Sequence, residues 1–129
     1  MTDLIRLLVI DDDPMQLDLM KRALSRDGFD VRTLDTVTET ELAAAVARSA
    51  PEIVLVDVNL PDVLPEQAVQ AARDAAHGAC IVLYSAWEES KLRALVQRSG
   101  ADAFISKSEP VLKLGSRLRR LRATPAAPR

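Results

Sequence analysis

The sequence predicts an α/β fold, a doubly wound five-stranded parallel sheet with five helices. Two observations predict it. Short apolar runs alternate five times with longer stretches of helical periodicity. The run Ile53-Val54-Leu55-Val56 is apolar at every position, as a parallel strand covered on both faces requires.

The first strand is Leu4–Ile10, rich in strand formers and ended abruptly by three aspartates. Asp13 caps a first helix with Pro14 in its first turn, and Leu17, Met20 and Leu24 recur at helical spacing up to Gly28. Val31–Leu34 reads as strand two. Thr38 and Glu41 form a capping box for a second helix, with Leu42, Ala45, Val46 and Ser49 on one face. Ile53–Val56 is strand three, ended by Asp57, and helix three follows from about Pro65 to Ala76. Cys80–Tyr84 is strand four, ending at Ser85. Leu92, Leu95 and Val96 mark a fourth helix closed by Gly100, and Ala103–Ile105 is strand five. Ser108 is expected to cap the last helix, with Pro110 in its first turn and Val111, Leu114, Leu118 and Leu121 as its core stripe. Gly115 costs that helix about 1 kcal/mol against alanine, which predicts close packing there.

A chain of 129 residues, 48% hydrophobic and 28% charged, fits one globular domain. Residues 1–122 are read as that domain and 123–129, rich in alanine and proline, as a short flexible tail. No apolar run approaches the roughly 18 residues of a membrane span, and the start has no secretory signal, so a cytoplasmic location is expected. Cys80 is the only cysteine and reads as a small core residue, and His77 beside Gly78 as a helix-end residue. The net charge is −2, but residues 1–109 hold all 19 acids against 11 of the 17 bases, while 110–129 hold six bases and no acid. That asymmetry reads as the solvated, dipole-matched face of a last helix, with an anionic partner as the alternative.

Ligands of open parallel sheets bind beyond the carboxyl ends of the strands. Asp11 and Asp12 end strand one, Asp57 ends strand three, Ser85 ends strand four and Lys107 follows strand five. Three converging carboxylates repel by about 4 kcal/mol per pair at 4 Å and an effective dielectric near 20. A lysine and a hard cation such as Mg²⁺ relieve that repulsion and leave room for an incoming anion, the setting for phosphoryl transfer to a carboxylate.

The order and spacing of Ile10-Asp11-Asp12-Asp13-Pro14, Asp57-Val58-Asn59-Leu60-Pro61-Asp62, Tyr84-Ser85-Ala86 and Phe104-Ile105-Ser106-Lys107 resemble the receiver domains of two-component response regulators, over roughly residues 4–122. The resemblance implies a flavodoxin-like sheet of order 2-1-3-4-5. It also implies that Asp57 is the phosphoacceptor, that Asp12 and Asp57 ligate Mg²⁺ directly, that Asp11 does so through water, and that Asn59 adds its backbone carbonyl. Ser85 would bond a phosphoryl oxygen, Lys107 would pair with the phosphate and Phe104 would reposition on activation. Such a domain takes its phosphate from a sensor histidine kinase or phosphotransfer protein and contacts a target through helix four, strand five and helix five, with Lys91, Leu92, Leu95 and Phe104 as candidates. It acts as a monomer or a phosphorylation-dependent dimer, and its only catalysis is its own phosphorylation and dephosphorylation.

Three positions depart from the family pattern. Pro65 replaces a glycine, so the loop into helix three is reshaped. Ser108 replaces a proline preceded by a cis bond, which puts the pose of Lys107 in question. Trp87 is bulky near the site and is expected to screen water and slow dephosphorylation. Rival readings are a phosphatase of the haloacid dehalogenase type, from Asp11-Asp12-Asp13, a docking module with an idle pocket, and nucleic-acid binding through the basic last helix. Pro14 directly after Asp13 and the absence of interleaved aromatics count against the first and last.

Overall fold

The computed structural model describes residues 3–35, 38–76 and 78–123. Five parallel strands, β1 (Ile5–Ile10), β2 (Phe29–Leu34), β3 (Ile53–Asp57), β4 (Cys80–Ser85) and β5 (Ala103–Ser106), lie in the order β2-β1-β3-β4-β5. They alternate with α1 (Pro14–Arg26), α2 (Glu39–Ser49), α3 (Pro65–Ala75), α4 (Glu89–Ser99) and α5 (Leu114–Ala123). The doubly wound sheet predicted from the alternation is the sheet observed.

Side chains alternate across a strand, and β3 shows the consequence. Val54 and Val56 face α2, α3 and α4, packing with Leu42, Val46, Val69, Leu92 and Leu95. Ile53 and Leu55 face α1 and α5, packing with Met20, Leu24, Leu114 and Leu118. These four residues of β3 are fully buried, which explains a run with no polar position before Asp57. Leu92 and Leu95 are fully buried as well, so the resemblance-based assignment of these two to a contact surface is corrected. They point inward because they fall on the core stripe of α4, while Lys91 between helical turns is exposed.

The local signals were mostly sound. Asp13 Oδ1 accepts the Met15 N–H at 3.0 Å, with Pro14 at the first helical position. Thr38 Oγ1 accepts the Glu41 N–H at 3.2 Å, and Gly100 closes α4 at φ +82°. Pro65 opens α3, where its missing N–H is harmless, and Gln67 Oε1 takes the Leu64 N–H at 2.9 Å.

The last helix differs from expectation. A 3₁₀ turn at Val111–Lys113 precedes α5, and Ser108 caps neither. Its hydroxyl lies 2.7 Å from that of Ser106, whose Oγ also accepts the Ser108 N–H at 3.1 Å, so the serine pair closes the turn carrying Lys107 instead. Gly115 is buried, and a Cβ there would land on the Asp27 carboxylate, so the predicted close approach is present. Cys80 is half-buried against the α1/α5 core, and burial pushes its thiol up to about 11. Residue 77 and residues 124–129, on which the helix-end and tail readings fall, lie outside the described residues.

Candidate functional site

Strand pairing brings the acidic residues together. Ile10 is in register with Val56, so Asp11, one residue past β1, stands beside Asp57, the last residue of β3. This is the switch point, where the chain leaves β1 for β2 on one side and returns to β3 on the other. One carboxylate oxygen from each of Asp11, Asp12 and Asp57 lies within 4.8 Å of the others. Asp11 and Asp57 are buried, at 2% and 5% exposure, and Asp12 is exposed.

Lys107 arrives from the far side of β4. Its N–H donates to the Ser85 carbonyl at 2.8 Å, fixing the residue just past β5. Its ammonium reaches Asp57 Oδ1 at 3.4 Å and Asp11 Oδ2 at 3.6 Å. The Lys107–Ser108 bond is trans, as is every described peptide bond, and the lysine still points into the acidic cluster.

One ammonium does not neutralise three carboxylates. At 4.8 Å and an effective dielectric near 20, each pair of ionised carboxylates repels by about 3 kcal/mol. Burial holds the Asp11 carboxyl above the ordinary carboxylate range, opposed by the Asp13 N–H that donates to Oδ1 at 2.9 Å; the Asp57 charge pushes it further up. Its Oδ2 is buried with no hydrogen-bond donor, since Lys107 at 3.6 Å is at ion-pair distance only. A buried oxygen left without a donor between two other carboxylates fits a hard, oxygen-seeking cation.

The remaining predicted residues stand around this cluster. Asn59 is exposed and its N–H donates to Asp57 Oδ1 at 3.3 Å. Ser85 is fully buried, and its Oγ accepts the Trp87 N–H at 3.0 Å. Trp87 itself is 37% exposed. Phe104 is half-buried, packed against the α2/α3/α4 core, and lines a cleft of about 700 Å³ between α4 and the segment from β5 to α5. The sequence alone leaves Tyr84 open between a packing and a functional role; its buried ring centre lies 5.4 Å from the Lys107 ammonium, and burial holds its hydroxyl above the usual range. An aromatic inside an apolar strand carries no signal that separates the two roles.

Comparison with known proteins decides the family. The model of the response regulator receiver domain matches residues 7–119. The chain belongs to this family. Among its relatives, the probable transcriptional regulatory protein TcrX of Mycobacterium tuberculosis is 28% identical over 93% of this chain and 52% of that protein. The DNA-binding response regulator MtrA of Mycolicibacterium smegmatis is 31% identical over 94% of this chain and 54% of that protein. The receiver domain thus spans about half the length of the curated relatives it matches. Its fold is similar to that of the chemotaxis response regulator CheY4 of Vibrio cholerae, at TM-score 0.79 and 19% identity over 92% of this chain and 98% of that one. A CheY-like receiver domain protein from Methanospirillum hungatei superposes at TM-score 0.80 and 24% identity, covering 93% and 94% of the two chains. No described helix is long and apolar enough to cross a membrane.

Proposed function

We propose that this receiver domain is a phosphorylation switch whose acceptor is Asp57. The observation that carries the reading is a buried Asp57 carboxylate with an ammonium at 3.4 Å and two further carboxylates within 4.8 Å. An Asp57 oxygen attacks the phosphorus of a phosphohistidine on a sensor kinase or phosphotransfer protein. A carboxyl O–P bond forms as the P–N bond breaks, and the electron pair leaves with the imidazole nitrogen, which takes a proton. Asp11, Asp12 and Asp57, with the Asn59 carbonyl, would hold Mg²⁺, which when bound would supply neutralising charge to the carboxylates and the transferred oxygens. On the family pattern Asp12 and Asp57 would be its direct ligands and Asp11 a ligand through water. Lys107 pairs with the transferred phosphoryl group, and the Ser85 hydroxyl donates to one of its oxygens.

The response follows from what the phosphate gains. Ser85 and Lys107 close on a dianion, which draws the ends of β4 and β5 together, and Phe104 shifts against the cleft it lines. A complete swing between two states needs about 5.5 kcal/mol of differential contact, much of which one charge-assisted hydrogen bond plus one ion pair can supply. The output surface is the α4-β5-α5 face, with Lys91 and Phe104 as contacts for a target protein. The domain works in the cytoplasm, as a monomer or a phosphorylation-dependent dimer. The nucleic-acid reading loses its main support, because Arg117, Arg119 and Arg122 of α5 are engaged with Glu109, Phe29 and Glu52.

The test is a beryllofluoride titration followed by the fluorescence of Trp87, whose backbone N–H donates to Ser85 Oγ. A saturable change requiring Mg²⁺ and abolished in Asp57→Asn is expected. No response from the wild-type protein at saturating Mg²⁺ would favour the idle docking module.

A further inference from the structure

The Tyr84 ring beneath the lysine has no part in the reading above. Tyr84 is 3% exposed and packs with Ile105 and Leu114 in the α1/α5 core. Its backbone pairs with Asp57 on one side and Ile105 on the other, so the ring is fixed to the two strands that carry the acceptor and the lysine. The Lys107 backbone is equally constrained. Its N–H bonds to Ser85, and the Ser106 and Ser108 hydroxyls close the turn around it.

What remains free is the four-carbon stem. Its contacts with Asp57 and Asp11, at 3.4 and 3.6 Å, are longer than the roughly 2.8 Å of a tight charge-assisted bond, so the carboxylates alone leave the ammonium loosely held. The face of a rigid ring attracts a cation without consuming its N–H donors. We propose that Tyr84 is a positioning residue that holds the Lys107 ammonium at the site through its ring face, keeping the lysine donors for the oxygens of the incoming phosphoryl group. The inference rests on the phosphoacceptor reading and adds a residue to it. The ring provides the attraction and the hydroxyl does not, so phenylalanine serves in its place and leucine, which fills the core but has no π face, does not.

The experiment measures beryllofluoride affinity at saturating Mg²⁺ in the full chain for wild type, Tyr84→Phe, Tyr84→Leu, Lys107→Met and the Tyr84→Leu/Lys107→Met double variant. Tyr84→Phe is expected to match wild type, and Tyr84→Leu to bind about five- to tenfold more weakly with Mg²⁺ affinity unreduced. Once Lys107 is methionine, Tyr84→Leu should cost nothing further. Wild-type affinity in Tyr84→Leu, or an equal loss in the Lys107→Met background, overturns the assignment while leaving the phosphoacceptor reading intact. A wild-type protein that ignores beryllofluoride removes the reading and the assignment together. If Tyr84→Leu does not fold, the wild-type NMR spectrum decides. Lys107 ε-protons displaced by the ring current uphold the assignment, and undisplaced ones overturn it.

Discussion

Asp11 carries an electrostatic cost that its protein neighbours do not offset. Its carboxyl is held above the ordinary range chiefly by burial, and one oxygen has no hydrogen-bond donor. An acid whose folded pKa is raised keeps its proton to higher pH in the folded state than in the unfolded chain, so ionising it weakens the fold. Asparagine stays neutral and retains an oxygen for the Asp13 N–H. With a chelator at pH 7, Asp11→Asn is therefore expected to raise the melting temperature by about 4 °C, on the order of 1 kcal/mol. The gain should vanish at a pH low enough to protonate Asp11 in both states, and under saturating Mg²⁺, which stabilises only the wild type strongly. A lower melting temperature in chelator, measured by calorimetry, contradicts the account. The acidic cluster was legible in the sequence because charges that end apolar runs stand out against them. Tyr84 was not, since its neighbours Val82 and Leu83 are core residues of the same strand. Ser108 misled because a serine two residues before a proline reads as a helix cap, whereas its hydroxyl is taken by Ser106, a partner no helix rule anticipates.

At the scale of the element, α5 is tied down by its charges. Glu52, just before β3, accepts the Arg6 N–H at 3.0 Å and is gripped by the Arg122 guanidinium at 2.7 and 3.1 Å. Arg119 lies over the Phe29 ring at 5.0 Å, and Gly115 lets the helix settle against Asp27. The basic surplus of residues 110–129 was visible in the sequence, but its internal partners lie 70 residues away for Arg122 and are invisible to local patterning. The Arg6 N–H first, and then Arg122, hold the Glu52 carboxyl below its usual range, against the effect of burial. A depressed folded pKa gives stability that is present above the ordinary carboxylate range and lost as pH falls through the folded value. Glu52→Gln is expected to cost about 1 kcal/mol at pH 7 and nearly nothing at a pH low enough to protonate Glu52 in both the folded and unfolded states, read from paired denaturation curves. An equal loss at both pH values means the carboxylate charge is not what anchors the helix. Element boundaries were legible where capping chemistry marks them, at Asp13, Thr38 and Gly100. They failed at the last helix, where a 3₁₀ turn intervenes, and at β2, which starts at Phe29 because pairing with Ile5 extends it beyond its apolar pattern.

For the whole molecule, the site exists because β1 lies at the switch point between β2 and β3. Helices on both faces follow from strands buried on both sides, and that much the alternation of apolar runs predicts. The strand order does not follow from periodicity, which says which face a residue occupies and not which strand lies beside it; it came from the family resemblance and is confirmed by the ladder. The order converts separate strand-end residues into one cluster, so that Asp11, Asp57 and Lys107, 46 and 50 residues apart in turn, come within ion-pair distance or its near neighbourhood. Bringing an acceptor carboxylate, two further acids and a lysine to one end of the sheet makes phosphorylation of Asp57 the central claim. The direct measurement is the intact mass and peptide map of the chain after incubation with acetyl phosphate, with Mg²⁺ or with chelator. One phosphoryl group per chain, on Asp57, dependent on Mg²⁺ and absent from Asp57→Asn, is predicted. An unmodified wild-type protein, or equal modification of Asp57→Asn, contradicts the claim.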